Sequence, residues 1–204
     1  MEKTETIRRP KQKRSITTKE KILDAAYQLF CGKGYYQTTT NEIARVAGVS
    51  IGSLYSYFVD KDTIFLEILE RYHESFIAVH DRLAESMGYD NLSLREWLHQ
   101  FIEGMIQVHE ISKELNQEIN LLCYSKPEVK AIVDRHREQS RLMAYDHLMQ
   151  SKEYLRVQDI EAAAEVSYNL ITDTVDEIVF QTGKIEKERL IEASLDALER
   201  YLLK

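Results

Sequence analysis

Breaks and cross-links are scarce in this chain. Its 204 residues include only 7 glycines, 2 prolines, 2 cysteines and 1 tryptophan. So few breakers argue against a many-stranded, turn-rich fold and favour long helices. Cys31 and Cys123 stand far apart, with no C-x-x-C or C-x-x-H spacing. That pattern gives no disulfide framework, and two reduced, buried thiols are expected. No apolar run reaches the length of a membrane span and the start has no signal-peptide pattern, so a cytoplasmic protein is expected. Nucleophile–base pairings, phosphate-binding glycine loops and metal-ligand spacings are missing too. Glu103, Glu118, Asp173 and Asp176 are candidate acids for proton transfer or cation binding, but solvated helix faces explain them more simply. The expectation is no enzyme, no cofactor and no metal.

What the chain has is apolar mass and an uneven charge. Hydrophobic residues make up 44% of the sequence, enough to build a real core. The net charge of -7 argues against indiscriminate coating of nucleic acid. Residues 1–62 carry 11 Lys and Arg against 7 Asp and Glu, and the remainder carries 16 against 27. A basic head on an acidic body suits a selective DNA binder whose second part meets something else. Within the head, Arg8, Arg9, Lys11, Lys13 and Arg14 cluster around Pro10. Residues 1–16 read as a polar arm, either laid along DNA or simply solubilising.

Residues 39–61, TTNEIARVAGVSIGSLYSYFVDK, organise the rest. Thr39 and Glu42 have capping-box spacing, and Ile43, Ala44 and Ala47 share one helical face. Gly48 breaks that helix, and Ser50 caps a second one whose Leu54 and Phe58 point inward. Small Ala44, turn-forming Gly48 and apolar Leu54 stand where a helix-turn-helix needs them. Ile51, Gly52, Ser53, Tyr55, Ser56 and Tyr57 remain outward on a helix of about seven residues. The hydroxyls suit phosphates and base edges, and Gly52 allows close backbone approach.

The other segments read as helices too. Thr17 and Glu20 form a second capping-box pair, opening a helix with an Ile22, Ala25, Ala26, Leu29, Phe30 stripe. A helix over 61–87, some 25 residues or more, would span roughly 40 Å, a candidate transmission rod. His73 and His80 share one of its faces and read as surface histidines rather than metal ligands. A loop over 88–91 precedes a helix capped by Ser93, with Trp97, Phe101 and Met105 on an aromatic and methionine-rich stripe. Cys123 falls on a shorter helix, and Pro127 opens another that carries His136, Met143 and His147. That set reads as plain core or as the lining of an apolar ligand pocket. The last two helices, over 159–182 and 186–203, present Ala163, Ser167, Ile171, Val175, Leu195, Leu198 and Leu202. These stripes pack either within one chain or into a four-helix contact between two.

The run ILDAAYQLFCGKGYYQTTTNEIARVAGVSIGSLYSYFVDKDTIFLEIL, residues 22–69, resembles the TetR family of bacterial transcriptional regulators. The AGVS turn at 47–50, the LYSYF block at 54–58 and Lys61 carry the likeness, over the first third of the chain. The resemblance implies an all-α homodimer of about nine helices per chain. It would have a helix-turn-helix domain over 17–62 and a ligand-binding, dimerising bundle over 63–204. It implies base contacts from Asn41, Ile51, Gly52, Ser53, Tyr55 and Ser56, and phosphate contacts from Thr40, Tyr57 and Lys61. Ile51 departs from the polar residue often found at its position, so it would read a thymine methyl or nothing. The implied function is repression from a palindromic operator, relieved by an apolar, aromatic or cationic small molecule. The alternative is a ligand-independent DNA-binding dimer controlled by a protein partner.

Overall fold

Capping side chains set most helix starts, and apolar stripes set what those helices cover. The computed structural model describes residues 13–87, 93–181, 183 and 185–203. Among these residues the fold is all-α, as expected: nine α-helices, a 3-10 turn at Lys152–Tyr154 and one bridge between Leu155 and Leu203. The helices are α1 Lys13–Lys33, α2 Thr40–Val46, α3 Ile51–Tyr55, α4 Lys61–Met87, α5 Leu94–Ile111, α6 Lys113–Ser125, α7 Pro127–Gln150, α8 Ile160–Phe180 and α9 Lys187–Leu202. Ser93 and Glu96 form the reciprocal box that opens α5, and Asp159 accepts from Ala162 N–H to open α8. Pro127 sits at the first position of α7, where its missing N–H costs nothing.

Two compact units emerge, residues Met1–Tyr72 with Glu114–Ile132, and His73–Lys113 with Val133–Lys204. The first takes residues 63–72 of α4 and nearly all of α6 in addition to the head expected over 17–62. Its core is built on Ile22, Phe30, Ile43, Leu54, Phe58, Ile64 and Phe65. Helix α1 begins at Lys13, so Thr17 lies inside the helix rather than capping it. Glu20 reaches across to Arg71 instead, in a two-pronged pair whose Nη2–Oε1 arm is 2.8 Å. Of the expected arm, residues 1–12 lie outside the described residues, as does the 88–91 loop.

The second unit packs α5, α8 and α9 around Ile102, Ile106, Ala163, Val175, Ile191 and Leu195. Gly104 lets α4 come close, because a Cβ there would stand 2.6 Å from Val79 Cγ1. One expectation is corrected here. Ala163, Ser167, Val175, Leu195, Leu198 and Leu202 are buried within a single chain, and Ile171 packs half-buried against the same cluster. That stripe is the seam between α8 and α9, so it is not a surface offered to a second copy.

Histidine chemistry follows from burial in this unit, which holds all 6 histidines. His73 stacks on His136 at 3.8 Å between centroids, and His80 and His147 approach through their Nε2 atoms at 2.5 Å. His109 sits between the Phe76 and Phe180 rings, and burial pushes its pKa down to about 4. An unfolded histidine titrates near 6.5, so between about pH 6.5 and 4 the unfolded chain binds the extra proton. Stability therefore falls as pH drops through that window, by about 3 kcal/mol from this group. Urea midpoints measured from pH 7 to 4 should show a shallower decline in His109→Gln than in the parent chain.

Candidate nucleic-acid interface

Thr39 starts the α2–α3 hairpin. Its hydroxyl accepts from Glu42 N–H at 3.3 Å, and Glu42 returns the bond to Thr39 N–H at 3.0 Å. Lys33 adds a 2.6 Å bond, and Lys33 and Thr39 together pull the Glu42 pKa down to about 2. Glycine is needed at position 48, where φ is +67° and an L side chain would be strained. Ser50 then caps α3 by accepting from Ser53 N–H at 3.0 Å. Helix α3 runs for only five residues, yet Leu54 and the following Phe58 are both buried, as their spacing predicts.

The side chains singled out for contact fall on the other side of this hairpin. Asn41, Ile51, Gly52, Tyr55 and Ser56 are exposed, and Thr40, Ser53 and Tyr57 are half-buried. Thr40 and Tyr55 share a hydrogen bond of 3.0 Å between their hydroxyls, so one pairing joins a residue of α2 to one of α3. Ser56 turns back to bond Ser53 carbonyl at 2.6 Å. A Cβ at Gly52 would meet nothing within 4 Å among the described residues, so no packing among them requires glycine.

Lys61 has a different setting. Its ammonium donates to the carbonyls of Tyr35 at 2.7 Å and Thr38 at 2.9 Å, and lies 4.0 Å from the Tyr35 ring centroid. Two of its three donors are thus used inside the head, leaving one for an outside acceptor. Desolvation there lowers its pKa from the ordinary lysine value. Tyr35 is itself buried; its hydroxyl donates to Asp62, and its N–H reaches Glu118 at 2.9 Å. Burial, then Asp62, raise the Tyr35 pKa. Burial also acts to raise that of Asp62, but Lys126 at 2.6 Å and the Tyr35 hydroxyl offset this and leave it lowered. Sequence reasoning missed Tyr35, Asp62, Glu118 and Lys126 as a group. No periodic pattern links them, since the partners lie 26 to 83 positions apart in the bonds to Tyr35.

The residues expected to line a ligand pocket are brought together in part. Trp97 stacks on Phe101 at 5.2 Å and meets the His147 ring at 5.1 Å. Phe101 and Met105 pack against the core of the second unit, where Trp97 and His136 are buried and Met143 is half-buried. Cys123 belongs to the first unit and is not disulfide-linked. Among the described residues, Trp97 Nε1–H is buried without a hydrogen-bond partner.

The family described as "Bacterial regulatory proteins, tetR family" matches residues 22–68. The regulator AcrR of Shigella flexneri is 32% identical over 135 residues, 66% of this chain and 62% of AcrR. QacR of Staphylococcus aureus is 49% identical over 54 residues, 26% of this chain and 29% of QacR. The chain thus spans less than two thirds of either relative. SmeT, repressor of a Stenotrophomonas maltophilia multidrug efflux pump, shares the fold with a TM-score of 0.67 at 20% identity, over 92% of this chain and 93% of SmeT.

Removing the Lys61 ammonium takes its donor from the Thr38 carbonyl and leaves the Tyr35 carbonyl with only the bond from Thr38 N–H at 3.2 Å. Lys61→Met is expected to destabilise the chain by about 1–2 kcal/mol in urea unfolding. Lys33→Met, which cuts a partly exposed pair to Glu42, should cost clearly less than Lys61→Met in the same measurement.

Proposed function

Through residues 22–68 the chain belongs to the TetR family of bacterial regulatory proteins, and we propose that it is a sequence-specific transcriptional repressor. It binds a palindromic operator as a homodimer and is released by a small molecule held in the second unit. One observation carries this reading: the exposed, hydroxyl-bearing face of α2 and α3, with open space above Gly52. Asn41, Ile51, Gly52, Ser53, Tyr55 and Ser56 read base edges, and Thr40, Tyr57 and the remaining Lys61 donor hold phosphates. Two such helices about 34 Å apart meet successive major grooves.

Since the α8–α9 seam is internal, dimerisation uses the faces left over. On α9 these are Ala193, Ala197 and Tyr201, and on α8 Ala162, Val166 and Asn169, all exposed. The effector lies against the Trp97–Phe101 stack and offers an acceptor to Trp97 Nε1–H, a donor that is costly to leave unbonded. It shifts the dimer away from DNA only by binding the other state more tightly. The packing of Phe101 and Met105 into the core supports the second reading, a ligand-independent dimer governed by a protein partner. Stabilisation by members of a compound library separates the two.

Fluorescence anisotropy with labelled DNA from upstream of the chain's own coding region tests the proposal. Binding that survives competitor, with two chains per site, is expected, and binding abolished by competitor at low salt would sink it. Gly52→Ala should hold or raise thermal stability, since alanine favours a helix by up to about 1 kcal/mol. The same variant should weaken specific binding by about tenfold or more while leaving non-specific binding nearly unchanged.

A further inference from the structure

Along α5, Arg95, His99 and Glu103 recur every four residues and form one stripe toward α9. Arg95 is held by three acids of α9: Glu192, Asp196 at 2.9 Å and Glu199 at 2.5 Å. Farther along the stripe, the ring nitrogen of His99 and carboxylate oxygens of Glu103 and Glu188 all lie within 4.8 Å of one another. His99 and Glu103 are half-buried and Glu188 is exposed, so the cluster is open to solvent at one side. Lys187 places its ammonium 2.8 Å from Glu103 Oε2, a position where a positive charge is already favoured. Two carboxylates against one ammonium leave the acidic side in excess here.

We infer that His99, Glu103 and Glu188 form a binding site for a divalent transition-metal ion, which displaces Lys187 and ties α5 to the start of α9. A histidine and a glutamate four apart on one helix face present two donors to a single ion, and the third comes from the facing helix. Ligands on a tetrahedral ion of this class sit about 3.3 Å apart, from metal–ligand distances of about 2.0–2.2 Å. Rotation of the two glutamate side chains closes that gap. One nitrogen and two oxygens suit zinc, cobalt, nickel or copper(II), while calcium and magnesium prefer all-oxygen sites and copper(I) prefers sulfur. Three protein ligands leave a fourth position for water. Lys187 keeps a third of its side chain exposed and swings into solvent when the ion enters.

Titration of the full chain with cobalt(II) chloride in phosphate-free buffer tests this, read by the visible absorption bands of tetrahedral cobalt. One equivalent is expected to bind. His99→Gln and Glu188→Gln should each weaken binding by about 100-fold or more, beyond the 10–100-fold typical of supporting residues. Lys187→Gln should bind more tightly, because the competing ammonium is gone. A His147→Gln control should bind as the parent does, which separates this site from the His80–His147 pair. No uptake by the parent chain at a roughly hundredfold excess of cobalt, or parent-like uptake by His99→Gln, would overturn the assignment. Circular dichroism of each variant ensures that a loss reflects the ligand and not the fold. The readout needs no DNA, so it stands or falls apart from the repressor reading.

Discussion

The head depends on a lysine used as a structural donor. Lys61 satisfies the carbonyls of Tyr35 and Thr38, the two residues that turn the chain from α1 toward α2. A loop that ends one helix and begins another carries carbonyls with no helical partner, and an unsatisfied one is costly when partly buried. The ammonium also rests on the Tyr35 ring, whose hydroxyl is tied to Asp62, the residue next to Lys61. The start of α4 is thereby bonded to the entrance of α2 through main chain, ring and carboxylate together. Because α3 follows α2 after a four-residue turn, whatever holds the entrance of α2 also holds α3.

The same network explains why α6 is part of this unit. Glu118 accepts the Tyr35 N–H, Lys126 neutralises Asp62, and the Tyr36 hydroxyl meets Ser125 at 2.7 Å. Helix α6 thus braces the α1–α2 loop from a part of the sequence some eighty residues away. A change in α6 has a route to the hairpin made of hydrogen bonds to one residue pair, Tyr35 and Tyr36. It needs no change within α2 or α3.

Local signals were readable because they act over three or four residues. Thr39 with Glu42, Gly48, Ser50 and Pro127 each place an element boundary by their own backbone chemistry. The capping motif at Thr17 and Glu20 misled, because helix-forming residues upstream continue the helix and Arg71 claims the glutamate. Long-range pairs such as Tyr35–Asp62 leave no trace in periodicity. The apolar stripes of α8 and α9 were legible as stripes, but spacing alone does not say whether the surface they cover belongs to the same chain. The positions proposed for base contact rest on the likeness of residues 22–69 to a family. The geometry adds that most of them are exposed and that Gly52 is not required by packing.

Helix α9 shows how one element divides its surface. At 3.6 residues per turn, Ile191, Leu195, Leu198 and Leu202 fall on one third of the cylinder and are buried. Glu188, Glu192, Asp196 and Glu199 fall on a second third, where Arg95 gathers three of them. Arg189, Ala193, Ala197 and Tyr201 occupy the remaining third and are exposed. The acidic third is self-repelling without cations, so Arg95 and Lys187 from opposite ends hold α9 against α5. The third face carries two alanines at a spacing of four, which let a neighbouring helix approach closely, and a tyrosine that gains from burial. A second copy laid on that face leaves both the core seam and the acidic stripe intact. Dimerisation through it therefore requires no rearrangement within either chain, whereas dimerisation through the buried seam would first require the bundle to open.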